Sequence, residues 1–278
     1  MRPIEDQTIL ISGATDGLGK SVAAELAAYG ATLLLHGRDD RKGSDTAREI
    51  QRRTGNPRVH WYRADLSSLR ETAELAERIT GEHGQLDVLV NNAGVGYATP
   101  GAEGRQESRD GFELRLAVNY LAPYLLTRKL LPVLLQSAPA RVVNVASVGQ
   151  AAIDFGDVML ERDYDGVRAY RQSKLALIMF TFGLAGELAD SGVTVNCLHP
   201  ATFMPTKMVV GQIQPQSSVQ DGVRATMRLI VSPALERVTG RYYEGLERAA
   251  ALGQAYDENA WHKLRDLSDR LTGLVTSR

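Results

Sequence analysis

Tyr170 and Lys174 stand four residues apart in a stretch with helical periodicity, which puts both side chains on one face. A free tyrosine ionises near pH ~10 and is a poor base at neutrality. An ammonium beside it favours the phenolate, so Lys174 is expected to lower the pKa of Tyr170. A phenol tuned in this way can exchange a proton with a carbonyl or alcohol oxygen. Taken alone, the spacing describes a surface pair equally well. Ser147 ends the apolar run Val142 to Ser147 and adds a hydroxyl that can bond both a substrate oxygen and the tyrosine. Asn119 lies in a helical stretch, where an amide is mildly unfavourable. It reads either as an ordinary polar position or as the holder of a water that links Lys174 to solvent.

These residues need a scaffold that brings them to one edge. Short apolar strands are expected at residues 8–12, 32–36, 59–63, 88–90, 141–145 and 193–198. Helical patterns fall between them at 18–29, 39–54, 68–83, about 109–136, and 167–189. The fourth helix is expected to bend or break near Pro123 and Pro132. Such alternation implies parallel strands with helices on both faces, and apolar strands suit a sheet covered on both sides. Past Pro205 the rhythm loosens, with a helix at 218–231 and a last strand at 240–243. Trp261, Leu264, Leu267, Leu271 and Leu274 then recur at helical spacing. That stripe is read as packing on the body rather than as a substrate mouth or subunit interface. One α/β domain over residues 1–278 is the expectation, with 203–278 as a substrate loop and C-terminal extension.

The turn after the first strand holds Gly13, Gly17 and Gly19 and opens the first helix. Glycines permit positive φ and let a pyrophosphate approach the backbone, and the helix N-terminus favours an anion. The spacing differs from the commonest dinucleotide fingerprint. The second strand ends His36-Gly37-Arg38. Enzymes that bind NAD through such a turn usually place an acid at this point. Here Gly37 stands there, and Arg38 can receive a 2′-phosphate, which favours NADP(H) over NAD(H). Asp16, Asp39 and Asp40 oppose that reading. Asp65 is placed either to bond an adenine amino group or to cap the helix near Ser68. An oxidised nicotinamide, being cationic, would also favour the phenolate.

Together the glycine turn, Asp65, the run Asn91-Asn92-Ala93-Gly94, Asn119, Ser147, Tyr170 and Lys174 resemble the classical short-chain dehydrogenase/reductase family, in the family's order and over about residues 8–205. The stretch from Ile153 to Tyr164, with Ala169 to Ala176 and Phe180-Thr181, is similar to the retinol dehydrogenase and protochlorophyllide reductase-like branch. The resemblance implies a Rossmann-type doubly wound parallel sheet of about seven strands with helices on both faces. It implies a tetrad in which Tyr170 is the acid/base, Ser147 orients a carbonyl, Lys174 binds ribose and tunes Tyr170, and Asn119 holds a relay water. Cofactor contacts are expected from Gly13, Thr15, Asp16, Gly17, Leu18, Gly19, Arg38, Asp65, Leu66, Asn92, Ala93, Gly94, Tyr170, Lys174, Pro200 and Thr202. The implied reaction is NADP(H)-dependent interconversion of a carbonyl and an alcohol on a bulky, apolar substrate. A non-catalytic dinucleotide sensor is the alternative, and an epimerase or dehydratase acting on nucleotide sugars stands further off.

One departure stands out: His199-Pro200-Ala201 replaces the usual Pro-Gly, and Ala201 cannot take glycine-only angles. His199 is a weak acid/base candidate. The other histidines lack zinc-ligand spacing, so no metal is expected. A net charge of −1 gives no basic footprint for nucleic acid. One cysteine, Cys197, allows no disulfide within the chain and fits a cytoplasmic setting. No apolar stretch reaches membrane length. Apolar Leu175, Ile178, Met179 and Phe182 permit a subunit interface without requiring one; the resemblance implies a homodimer or homotetramer. Substrate specificity is expected in residues 95–108, 149–167 and 203–218.

Overall fold

The computed structural model describes residues 1–97, 104–206 and 214–274, so parts of the 95–108 and 203–218 segments lie outside the described residues. One sheet organises the chain. Its strands are β1 (Thr8–Ile11), β2 (Thr32–Gly37), β3 (Val59–Arg63), β4 (Val88–Asn91), β5 (Ala140–Val145), β6 (Val193–His199), β7 (Arg241–Glu244) and β8 (Glu247–Ala249). Their order is β3-β2-β1-β4-β5-β6-β7-β8. All pairings are parallel except β7 with β8. Every residue of β1, β4 and β5 is buried, which is why these strands read as unbroken apolar runs rather than alternating ones.

The helices are α1 (Gly17–Ala28), α2 (Asp40–Thr54), α3 (Leu69–Glu82), α4 (Leu114–Leu116), α5 (Ala122–Gln136), α6 (Gly166–Glu187), α7 (Val219–Val231) and α8 (Glu258–Thr272). They form two layers. The sheet packs with α1, α2 and α7 on one face and with α3, α5, α6 and α8 on the other. This is the doubly wound Rossmann-type architecture. The connection reverses direction between β1 and β4, which opens a crevice beyond their carboxyl ends.

Three elements differ from expectation. β8 is an eighth strand, unforeseen because Glu247-Arg248-Ala249 is short, charged and at the sheet edge. The long helix begins at Leu114, and its irregularity is a π-helical turn at Ala117–Leu121, closed by Ala122 N–H to Ala117 O. Pro123 follows in the first turn of α5, where its missing N–H is tolerated, and α5 continues through Pro132. The expected interface residues Leu175, Ile178, Met179 and Phe182 are buried within the chain itself. Phe182 packs on Tyr256 and Trp261, so the C-terminal stripe does cover the body. Buried hydrogen bonds from Tyr120 to Ser268 (2.6 Å) and from Tyr124 to Asp269 (2.6 Å) fasten α8.

Gly19 shows how tightly the first turn is built. A Cβ there would lie 2.4 Å from Gly13 O, a backbone atom with nowhere to go. Gly81, exposed in α3, meets nothing within 4 Å. Gly19→Ala is therefore expected to cost about 1–3 kcal/mol, while Gly81→Ala gains up to about 1 kcal/mol from helix propensity. Thermal denaturation of both variants checks the contrast.

Candidate active site

The glycine turn leaves the carboxyl end of β1 with positive φ at Gly13 (67°) and Gly17 (48°). A Cβ at Gly13 would sit 2.8 Å from Ala93 Cα, and one at Gly17 would sit 3.0 Å from Thr206 Cγ2. The turn is pinned from the β4 side. Asn92 Nδ2 donates to Ser12 O (2.9 Å) and Gly13 O (3.1 Å). Ser12 Oγ accepts from the N–H groups of Asn92 and Ala93, each at 3.0 Å. The Asn92 side chain is thus engaged in holding the turn. Asp16 caps α1 through Gly17 N–H (2.9 Å) and pairs with Lys42 Nζ (2.7 Å). Thr15 lies against Gly37. Leu18 and Leu66 are buried, each in a core cluster. The α1 N-terminus and the crowded glycines make a backbone cradle that suits a pyrophosphate.

Arg38 is exposed at the end of β2, and its charge reaches Asp65, whose carboxyl pKa is lowered. Burial pushes that carboxyl up, but the Ser67 N–H bond and the cations Arg109 and Arg38 outweigh it. Asp65 does not cap α3. Ser68 does so, accepting from Glu71 N–H, while Asp65 turns the chain by accepting from Ser67 N–H (3.0 Å). The other acids near Arg38 are engaged. Asp39 caps α2 through Lys42 N–H, and Asp40 accepts from Trp61 Nε1 (2.8 Å).

At the tips of β4, β5 and β6 the remaining residues gather. Ser147 follows β5, and its hydroxyl and the Tyr170 ring on α6 flank Gly149: a Cβ there would lie 3.4 Å from Ser147 Oγ and 3.7 Å from Tyr170 Cε1. Ser147 Oγ also accepts from Gly149 N–H (3.0 Å), and Tyr242 on β7 donates to Ser147 O (3.2 Å). Lys174 Nζ is buried, donates to Val145 O (2.9 Å) and lies 5.8 Å from the Tyr170 ring centroid. A Cβ on Gly94 would sit 3.5 Å from Lys174 Nζ and 3.2 Å from Asn119 Oδ1. Pro200 and Thr202 follow β6, where Thr202 Oγ1 meets His199 Nε2 at 3.1 Å.

One expectation changes here. Tyr170 does not have a lowered pKa in the protein alone. Burial raises it, and the neighbouring Ser147 hydroxyl opposes that only in part. Asn119 sits in the π turn, and its side chain bonds neighbouring groups. Its Oδ1 accepts from Val95 N–H (2.7 Å), and its Nδ2 donates to Val95 O and Ser173 Oγ (both 3.0 Å). Burial and the Lys174 charge push the His199 imidazole down to about 4, so it is neutral at neutral pH.

Several contributors escaped the sequence reading. Gln254 brackets Ile153, accepting from its N–H (2.6 Å) and donating to its carbonyl (3.2 Å), and Leu252 N–H bonds Gln150 Oε1 (2.7 Å). Residues 252–254 therefore border the segment beside Ser147. Tyr97 packs edge-on against Tyr170, and Arg115 is fully buried behind it. An arginine four residues before Asn119, in an otherwise apolar helix, was the signal available for the last of these.

The sequence profile described as short chain dehydrogenase matches residues 7–216. Retinol dehydrogenase 13 of Mus musculus is 38% identical over 290 residues, covering 98% of this chain and 85% of that protein. Retinol dehydrogenase 11 of Homo sapiens is 35% identical, covering 96% and 86%. A solved short chain dehydrogenase from Escherichia coli CFT073, complexed with NADPH, superposes with a TM-score of 0.70 at 28% identity, covering 87% of this chain and 97% of that one. The fold, the glycine turn and the gathered side chains agree with these likenesses: the chain belongs to the short chain dehydrogenase family of oxidoreductase enzymes, on its retinol dehydrogenase-like branch.

Proposed function

We propose that the chain interconverts a carbonyl and an alcohol, with NADP(H) as the hydride carrier and Tyr170 as the acid/base. The observation that carries this is the gathering of the Ser147 hydroxyl and the Tyr170 ring against Gly149 at the strand tips, with the Lys174 ammonium one helical turn away. Bound nicotinamide supplies or accepts the hydride. The chain's own groups do the rest. Ser147 and Tyr170 present two hydroxyls to one substrate oxygen. A phenol whose pKa is raised by burial is held protonated, the form that gives its proton to a carbonyl oxygen during reduction. Lys174 lies near enough to favour the phenolate that remains, and a bound cation would add to that.

Gly13, Gly17 and Gly19 would cradle the pyrophosphate, with Asp65 and Leu66 toward the adenine and Gly94, Pro200 and Thr202 toward the nicotinamide. Preference for NADP(H) rests on Arg38. Asp16, Asp39 and Asp40, the acids that argue against a phosphate, are each engaged with Lys42 or Trp61. The Escherichia coli relative's NADPH supports the same choice. A bulky, apolar substrate is supported by Val148 and Leu252, both large, apolar and exposed beside Ser147 and Gln150. A non-catalytic sensor would have no use for the Ser147–Tyr170 pair.

Lys174 is costly in the protein alone. Burial lowers its pKa from 10.5 to about 8. Between those values the unfolded chain binds the extra proton, so stability rises with pH from about 8 towards 10.5. Below pH 8 the buried ammonium costs about 3 kcal/mol. Lys174→Met, measured without dinucleotide, should therefore be more stable at pH 7 by up to about 3 kcal/mol, with the gain fading by pH 10. A gain that is independent of pH would show that the ammonium is not desolvated.

Tyr170→Phe is expected to lower kcat at least about 100-fold on a carbonyl panel while leaving NADPH binding intact by fluorescence titration. Near-normal turnover would remove Tyr170 from the chemistry. Arg38→Asp should weaken NADPH about 10- to 100-fold, the value of a charge-assisted bond, and NADH little. Equal losses for both dinucleotides would show that Arg38 does not read the phosphate.

A further inference from the structure

Arg115 is fully buried, and a buried cation is a cost unless what it holds repays it. Its Nε donates to Gly96 O (3.1 Å) and its Nη2 to Tyr97 O (3.3 Å). Its Nη1 donates to Tyr164 Oη (2.7 Å), which in turn donates to Glu113 Oε1 (3.0 Å). Glu113 is itself buried, lies 3.4 Å from the guanidinium and caps the helix through Leu116 N–H (2.7 Å). Asn119 lies four residues further on and bonds both backbone groups of Val95. Three consecutive residues of the loop after β4 are therefore held by their backbones. Gly166, at the start of α6, closes over the same point, since a Cβ there would lie 3.4 Å from Tyr97 O.

The product of this clamp is the placement of one ring. The Tyr97 and Tyr170 rings stand edge to face, 5.8 Å apart at 70°. Around the Tyr170 ring, Lys174 lies one turn along α6, and Ser147, Gly149 and the Arg171 stem lie alongside, since a Cβ on Gly149 would meet Ser147 Oγ, Arg171 Cγ and Tyr170 Cε1 within 3.7 Å. Tyr97 supplies the wall that none of these provides.

We propose that Tyr97 is a positioning residue for Tyr170 and that Arg115 acts through it: the Tyr97 ring, fixed from behind by the buried guanidinium, holds the phenol toward Ser147 and keeps water from its open side. This rests on Tyr170 as the acid/base, yet the packing claim can be read without substrate. The protein is labelled with 13C at tyrosine Cζ, and the Tyr170 signal is identified by its loss in Tyr170→Phe. In Tyr97→Ala the Tyr170 signal is expected to shift and to begin ionising at lower pH, because water reaches the ring. Tyr97→Phe is expected to restore wild-type behaviour. Arg115→Gln is expected to reproduce the Tyr97→Ala signal, with no further change in the double variant. On a substrate that wild type turns over, Tyr97→Ala lowers kcat about tenfold, the size of a modest loss of orientation, without changing NADPH affinity. An unmoved Tyr170 signal in Tyr97→Ala overturns the proposal. So does a Tyr97→Phe protein that behaves like Tyr97→Ala. Should Arg115→Gln fail to fold, the two Tyr97 variants decide the matter alone. A Tyr170→Phe enzyme that still turns over would sink the acid/base reading while leaving the spectroscopic result standing.

Discussion

A buried ammonium sets the terms for everything near the strand tips. Lys174 enters the interior and donates to the Val145 carbonyl at the end of β5. Among the described residues no carboxylate pairs with it, and its charge is felt by its neighbours: it helps keep His199 neutral. It also lies close to the space that a Cβ on Gly94 would fill, so that position keeps its bare backbone. A cation left so poorly solvated is a stored electrostatic preference, directed at whatever negative charge develops beside it.

The polar groups around this centre are arranged to fix backbone rather than to face solvent. Asn91 Nδ2 bonds Thr127 and Asn144, and Asn144 Nδ2 bonds Thr181, which ties β4 and β5 to α5 and α6 through buried side chains. Asn92 and Ser12 do the same between β4 and the glycine turn. These buried amide bonds fix the spacing between the sheet and the helix that carries Tyr170 and Lys174. The π turn at Ala117–Leu121 belongs to the same scheme, since it sets Asn119 against the loop after β4.

The sheet was legible because its strands are apolar on both faces and its helices are long and periodic. Six of the eight strands follow from that pattern, and a seventh falls within a residue of its expected place. The gathering of Ser147, Tyr170, Lys174 and the glycine turn was legible for a related reason: each sits at the carboxyl end of a strand or on the helix above it. What the sequence hid was context. The bonds that Asn92 and Asn119 make to neighbouring backbone were not legible, because a side chain's choice of partner is made in three dimensions. The sign of the Tyr170 shift was likewise hidden, since spacing along a helix reveals a neighbouring ammonium but not the depth of burial that outweighs it. Arg115 and Tyr97 were missed because their partners lie in another loop.

The bracket that Gln254 places around Ile153 has a bearing on how the protein is made. Those partners are 101 residues apart, and the bonds that fasten α8 span 148 and 145. Closing loops of that size costs entropy before any contact repays it. During synthesis the first six strands emerge well before residues 252–269, so the rim beside Ser147 and the support beneath the Asn119 turn are completed last. A ribosome-bound chain of this protein would carry a nearly finished sheet with an unfinished mouth.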